Sequence, residues 1–215
     1  MATIVAEHAP VLKRGGFKKR RHSFNRLASD GIVHVVHFWM APKEPPAWTE
    51  VPGLRERRYG SFRLDFGVYV PEMTRTHQPR SNWINDYDCH LRKTIGALLP
   101  SQTSDVWWHL DDPMASDLAL HALEEHGLPW LDRFPNHDAI LDAYECLGPL
   151  PIGLSPAGAL DIADLYRAIG RHKEERRTLE QYVAKPVHRN HAEYLTRYLQ
   201  DRSHEDLGGA IALRD

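Results

Sequence analysis

The residues best spaced for chemistry lie in Asp86-Tyr-Asp-Cys-His-Leu-Arg92. If this stretch is an extended strand, Asp86, Asp88 and His90 project from one face, with Arg92 next along. Two carboxylates and an imidazole could hold a divalent ion, or His90 could act as a base oriented by Asp88. The plainer reading is a polar strand face with Asp88 paired to Arg92, and it ranks first. Asp86, Asp88 and His90 remain the catalytic candidates beneath it.

The fourteen histidines invite a wider search. His34-Val-Val-His37 fails as a ligand pair, because residues three apart on a strand face opposite sides. His188 and His191 could share a face at a helix start, yet no third ligand accompanies them, so no metal is expected. Gly-x-Gly-x-x-Gly, Gly-x-x-x-x-Gly-Lys-Ser/Thr and Gly-x-Ser-x-Gly are all absent. No cofactor is expected either. Cys89 and Cys146 lie far apart and outside any Cys-x-x-Cys pattern, which makes a disulfide framework or zinc site unexpected. Cys89 beside His90 keeps a nucleophile formally open.

These groups need elements to hold them. Gly60-Ser-Phe-Arg-Leu-Asp-Phe-Gly-Val-Tyr-Val-Pro71 has the cleanest period in the chain. Phe62, Leu64, Phe66, Val68 and Val70 fall on one side; Ser61, Arg63, Asp65, Gly67 and Tyr69 fall on the other. That alternation predicts a half-buried strand with one solvated face. Ile32–Met40 is apolar on both faces and reads as a central strand, antiparallel to the first. His22–Ala28 precedes it across the turn Ser29-Asp30-Gly31. Asp86–Ile95 and Asp105–Leu110 read as further strands, and the proline-rich stretch 41–59 as a long loop. Ile4, Val5, His8, Val11 and Leu12 suggest an N-terminal helix over 3–14, with Pro10 against it.

Helices dominate after residue 113. Ser116 can cap one through Glu125, stopped by Gly127, with Leu128–Pro135 as a connector. Asn136 can cap a second through Leu147, and 148–153 reads as a linker. Ser155-Pro156 opens a third, Ala157–Ile169, closed by Gly170. A fourth covers 171–185 and a fifth about 189–202. The expected fold is therefore α+β: an antiparallel sheet with an N-terminal helix, followed by a helical region packed on it. The division falls at 1–112 and 113–215, with the two halves able to pack as one domain.

Charge is unevenly spread. Residues 1–100 carry a net +7, residues 101–150 a net −9, and the remainder balances. Either the basic and acidic parts face one another or are simply solvated, or the acidic part is offered to a basic partner. Trp48, Trp130, Asp111, Asp112, Arg63, Asp65 and Tyr69 are the binding candidates, with Arg63 and Asp65 expected as cross-strand charge partners. Lys13–Arg21 holds six cations in nine residues and could track phosphates, though a solvated turn is the preferred account. No apolar run reaches the roughly 20 residues that span a bilayer. The first residues lack the pattern of a secretory signal, so a cytoplasmic protein is expected.

Two resemblances complete the reading. Ala159–Val183, with Leu165-Tyr-Arg-Ala-Ile-Gly-Arg at its turn, resembles a tetratricopeptide helical hairpin; a single copy is expected to cap the sheet rather than build a groove. Leu12-Lys-Arg-Gly-Gly-Phe-Lys-Lys, Ser23-Phe-Asn-Arg, Ile32-Val-His-Val-Val-His-Phe, Phe66-Gly-Val-Tyr-Val, Cys89-His-Leu-Arg-Lys-Thr-Ile-Gly, Trp107-Trp-His-Leu and Gly127-Leu-Pro-Trp-Leu-Asp occur in order. Together they resemble the bacterial family known as domain of unknown function 4304, over roughly residues 10–145. That likeness implies an α+β sheet domain and carries no catalytic residues. The expected role is a protein-interaction module of unknown partner, with masking of another protein in the manner of an immunity or antitoxin protein as its narrower form. An enzyme at Asp86/Asp88/His90 and nucleic-acid binding through Lys13–Arg21 are the alternatives.

Overall fold

The computed structural model describes residues 1–41, 58–73, 79, 81–100, 105–184 and 189–212. Most of the proline-rich stretch, with Trp48, lies outside them, as does His188.

Ile4, Val5, His8, Ala9 and Leu12 form the buried stripe of α1 (Ala2–Arg14). Pro10 lies inside this helix. An interior proline costs about 3 kcal/mol, whereas burying one aliphatic side chain returns about 1.5–3 kcal/mol. Ile4, Val5 and Leu12 are all buried. Packing outweighs the proline, and the helix runs through it.

The sheet follows. β1 (Lys18–Arg20), β2 (Ser23–Leu27), β3 (Val33–Met40), β4 (Ser61–Tyr69) and β5 (Leu91–Thr94) lie side by side in chain order, each antiparallel to the next. β6 (Trp108–His109), shorter than the strand expected over 105–110, pairs with the start of β4. The inner face carries Phe24, Val36, Phe38, Phe62, Leu64, Phe66, Val68 and Leu91 into the main core. All five members of the row that begins at Phe62 are buried.

The solvated outer face expected for β4 is corrected. Ser61, Asp65, Gly67 and Tyr69 are buried as well. The cover is the segment before β5, where Ile84 and Cys89 pack with Val35 and Tyr69 in a second small cluster. Gly67 makes room for it: a Cβ there would stand 2.5 Å from Cys89 Sγ.

The strand expected over Asp86–Ile95 is also corrected. Asp86–Asp88 is a 3-10 turn, and extended structure begins only at Leu91. Asn85 sets the turn. Its N–H and side-chain amide both donate to Asp88 Oδ2, at 2.9 and 3.0 Å. This short-range capping overrides the weak alternation of the stretch.

In the helical region, α2 (Ala115–Ala122) runs through a π turn, Leu123–Gly127, into α3 (Leu128–Asp132). The stop expected at Gly127 and the connector expected after it are therefore corrected. Gly127 serves packing instead, since a Cβ there would meet the Phe66 ring at 2.3 Å. Pro129, which lacks the N–H an uninterrupted helix would use, follows directly on the π turn. Ser116 is not the cap of α2; Met114 occupies that position, and the Ser116 hydroxyl donates to Glu7 on α1.

Asn136 caps α4 (His137–Leu147) as expected, its Oδ1 accepting from the Ala139 N–H at 2.9 Å. A short helix, α5 (Pro149–Ile152), stands where a linker was expected. α6 (Gly158–Ala168), α7 (His172–Val183) and α8 (Arg189–Ala212) complete the chain, the last extending beyond the expected end. Leu123, Trp130, Leu131, Phe134, Ile140, Leu141, Ile152 and Leu165 join the inner sheet face in one continuous core. Ala159, Leu160, Tyr182, Leu195 and Tyr198 form a smaller one between α6, α7 and α8. The architecture is α+β.

Candidate functional site

A cleft of about 490 Å³ opens where the outer sheet face meets the helical region. Its walls come from three places. β4 and β5 give Arg63, Asp65, Arg92, Lys93 and Thr94; the turn before β5 gives Tyr87, Asp88, Cys89 and His90; the entry to α6 gives Gly153, Leu154, Ser155 and Asp161. The helical wall is pinned to the sheet edge by the Arg92 N–H, which donates to the Gly153 carbonyl at 2.8 Å. Gly153 is held at φ 95°, and a Cβ there would lie 2.8 Å from the Arg92 carbonyl oxygen. Only glycine fits that approach.

Sequence spacing placed Asp86, Asp88 and His90 on one strand face. The cleft holds Asp88 and His90, but each is committed differently. Asp88 caps the turn. Asp86 Oδ2 lies 3.5 Å from Arg92 Nη2. The Val70 N–H donates to His90 Nδ1 at 3.1 Å, so the neutral ring carries its proton on Nε2. In that tautomer His90 presents a donor, not the lone pair a general base needs. The shared strand face behind the catalytic expectation does not form. Among the described residues, no group of three or more His, Cys, Asp and Glu is arranged to hold a metal ion.

Arg63 and Asp65 pair along one strand rather than across the sheet, with Arg63 Nε 2.8 Å from Asp65 Oδ1. Arg63 also donates to Asp105 Oδ2 at 2.5 Å and lies over the rings of Trp39 and Trp107. Burial raises the proton affinity of Asp65 above the ordinary carboxylate value, and Arg63 partly offsets it. Burial also pushes the Cys89 thiol well up, with Asp86 adding to it. A thiol so held is a poor nucleophile. Its Sγ donates to the Asn85 carbonyl at 3.4 Å.

The other binding candidates scatter. Trp130 is buried against Phe134, with ring centroids 5.4 Å apart, and offers no exposed aromatic. Tyr69 is buried beside the His90 ring at 5.4 Å. Asp111 is exposed near His109, and Asp112 Oδ1 accepts from the Met114 N–H at 2.9 Å. His34 is buried and His37 half-buried on the opposite face.

Asp161 was missed. It sits in the first turn of α6 and lines the cleft. Burial, and then repulsion from Asp164, raise its pKa to about 7. In sequence it is one acid in an amphipathic helix, and nothing local marks it.

The acidic segment divides. Asp105 pairs with Arg63 and Asp132 with Arg26, both in the basic half. Asp138 pairs with Arg171 and Glu145 with Arg177, both in the helical tail. Asp111, Asp112, Asp117, Glu124, Glu125 and Asp142 are exposed, with no Lys or Arg in ion-pair range among the described residues.

The ordered motifs, the α+β sheet and the cleft together frame the comparison with known proteins. Residues 53–133 match the family described as Domain of unknown function (DUF4304). The DUF4304 match contains β4, β5, β6, α2 and α3, and so supplies the sheet-side wall of the cleft. Gly153–Asp161, the opposite wall, lies outside it, as do the resembling motifs before residue 53. No curated protein and no solved structure matches the chain. No helix among the described residues is long and apolar enough to cross a membrane.

Proposed function

We propose that this chain is a cytoplasmic, non-enzymatic protein-interaction module that presents its acidic helical face to a basic partner. One observation carries this reading. Met114, Asp117, Leu118, His121, Glu124 and Glu125 are all exposed along α2 and its π turn. Met114 and Leu118, 54% and 47% exposed, thus stand among carboxylates that no cation neutralises from within the described residues. An apolar centre with a charged rim is the composition of a transient protein interface. Such a field also steers an oppositely charged partner into place. Masking a basic surface, as an immunity or antitoxin protein does, is the role that fits.

The test is copurification from the native host, with wild type beside Asp117→Lys/Glu125→Lys. Both substitutions lie on the exposed side of the helix and should leave the fold intact. A stoichiometric partner retained by wild type and lost by the variant supports the reading; a strictly solitary wild-type protein ends it.

A second reading draws on the exposure of all six cations from Lys13 to Arg21. Contact with nucleic acid there would show as affinity that falls steeply with salt. A three-residue, Lys-rich edge strand is also how proteins keep a sheet edge from pairing with another chain. Absence of binding at low salt removes the nucleic-acid reading.

A further inference from the structure

The cleft and the acidic face are separate features, and the cleft walls carry Arg63, Arg92 and Lys93 as well as Asp65, Asp88 and Asp161. Arg92 lies 3.5 Å from Asp86, and Lys93 donates to the Leu150 carbonyl. Of the carboxylates on its walls, Asp65 is neutralised by Arg63, and Asp88 is held by the two amides of Asn85. On α6, the neighbouring Asp164 is occupied by Arg202 and the Tyr198 hydroxyl. Asp161 has no cation in ion-pair range among the described residues, although it is only partly exposed. A desolvated, unpaired carboxylate is costly. Retaining one on the wall of a cavity large enough for a small molecule points to a charge supplied from outside.

We propose that the cleft binds a small ligand bearing a primary amine or guanidinium group, with the cation seated on Asp161. The Ser155 hydroxyl lines the same space and offers a hydrogen bond to a polar end of such a ligand. The site lies apart from the α2 surface, so the proposal stands or falls independently of the protein-interaction reading. Ionisation of Asp161 strengthens the bound state, and a bound cation in turn lowers the proton affinity of its carboxyl group.

The experiment is a titration of the full chain with n-butylguanidinium and n-butylammonium at pH 8, followed by backbone amide shifts. Saturable shifts at Arg92, Thr94, Gly153 and Ser155 are expected, and none from n-butyrate. Asp161→Asn, which preserves shape, should weaken binding at least tenfold, as loss of a charge-assisted contact implies. Asp142→Asn, which removes an exposed carboxylate elsewhere, should change nothing. An acetylated, amidated Gly-Arg-Gly peptide separates the sources. Affinity at or above that of n-butylguanidinium assigns the cation to a protein side chain, and affinity well below it to a free small molecule. Equal binding by wild type and Asp161→Asn overturns the proposal, and so do shifts confined to the exposed acids of α2 or no saturable shift at all.

Discussion

Arg202 on α8 reaches Asp164 on α6, and both side chains are buried. The same guanidinium also donates to Glu175 on α7 and to the Ala163 carbonyl at 3.3 Å. Three helices thus meet on one buried cation. Breaking a buried ion pair from one side is expensive because the partner charges stay buried. Arg202→Met should lower stability by about 3–5 kcal/mol. Urea denaturation checks the magnitude, and limited proteolysis should cut within 189–212 in the variant before wild type.

Asp161 predicts a pH dependence of definite sign. Its folded-state pKa of about 7 lies above the ordinary value of 3.8. The folded chain therefore binds the proton more tightly, and this contribution is lost as pH rises toward and through 7. Asp161→Asn should stabilise the protein at pH 8 by roughly 1–2 kcal/mol, after allowance for solvent screening. At pH 4 the difference should nearly vanish. Thermal unfolding of both proteins at the two pH values measures it.

His8 and His34 act in the opposite direction. Burial lowers the proton affinity of both below the ordinary 6.5. The fold holds them neutral, so stability is complete above pH 6.5 and falls as the pH drops below it. His8 Nδ1 is bonded to the Ile4 carbonyl at 2.8 Å, while its buried Nε2 has no partner among the described residues. His8→Leu, which removes that nitrogen, should flatten the loss of stability between pH 6.5 and 5. An unchanged slope would show that His8 is not buried neutral.

Gly67 and Cys89 test the cover on the outer sheet face. Gly67→Ala forces a methyl group to within 2.5 Å of Cys89 Sγ and 2.6 Å of its Cβ. Overpacking of this kind costs about 1–3 kcal/mol. Cys89→Gly in the same chain should restore most of it, whereas Cys89→Ala, which keeps the Cβ, should restore less. A double-mutant cycle in urea resolves the two.

Where side-chain alternation and local caps decide conformation, the chain could be read directly. The row from Phe62 to Val70 is a buried strand, Val33–Met40 is its antiparallel neighbour, and Asn136 starts a helix. Each follows from contacts within a few residues or from a period that only one face of an element can satisfy. The segment Asp86–His90 shows the limit of that method. Its apparent period of two is broken by Asn85, whose capping bonds draw Asp88 into a turn. The α2–α3 passage fails for a different reason, because Gly127 answers to the Phe66 ring rather than to its own helix.

The amino-acid order by itself determined an α+β chain with a greasy inner sheet face, amphipathic helices after it, and an acidic middle beside a basic start. Tertiary structure alone decided that the outer face of β4 is largely covered, that Trp130 is core, and that Asp161 lines one cleft with Arg92 and His90. Period and propensity are properties of neighbours along the chain. Burial, charge pairing and cavities depend on residues tens of positions apart, and those are set only when the helices close over the sheet.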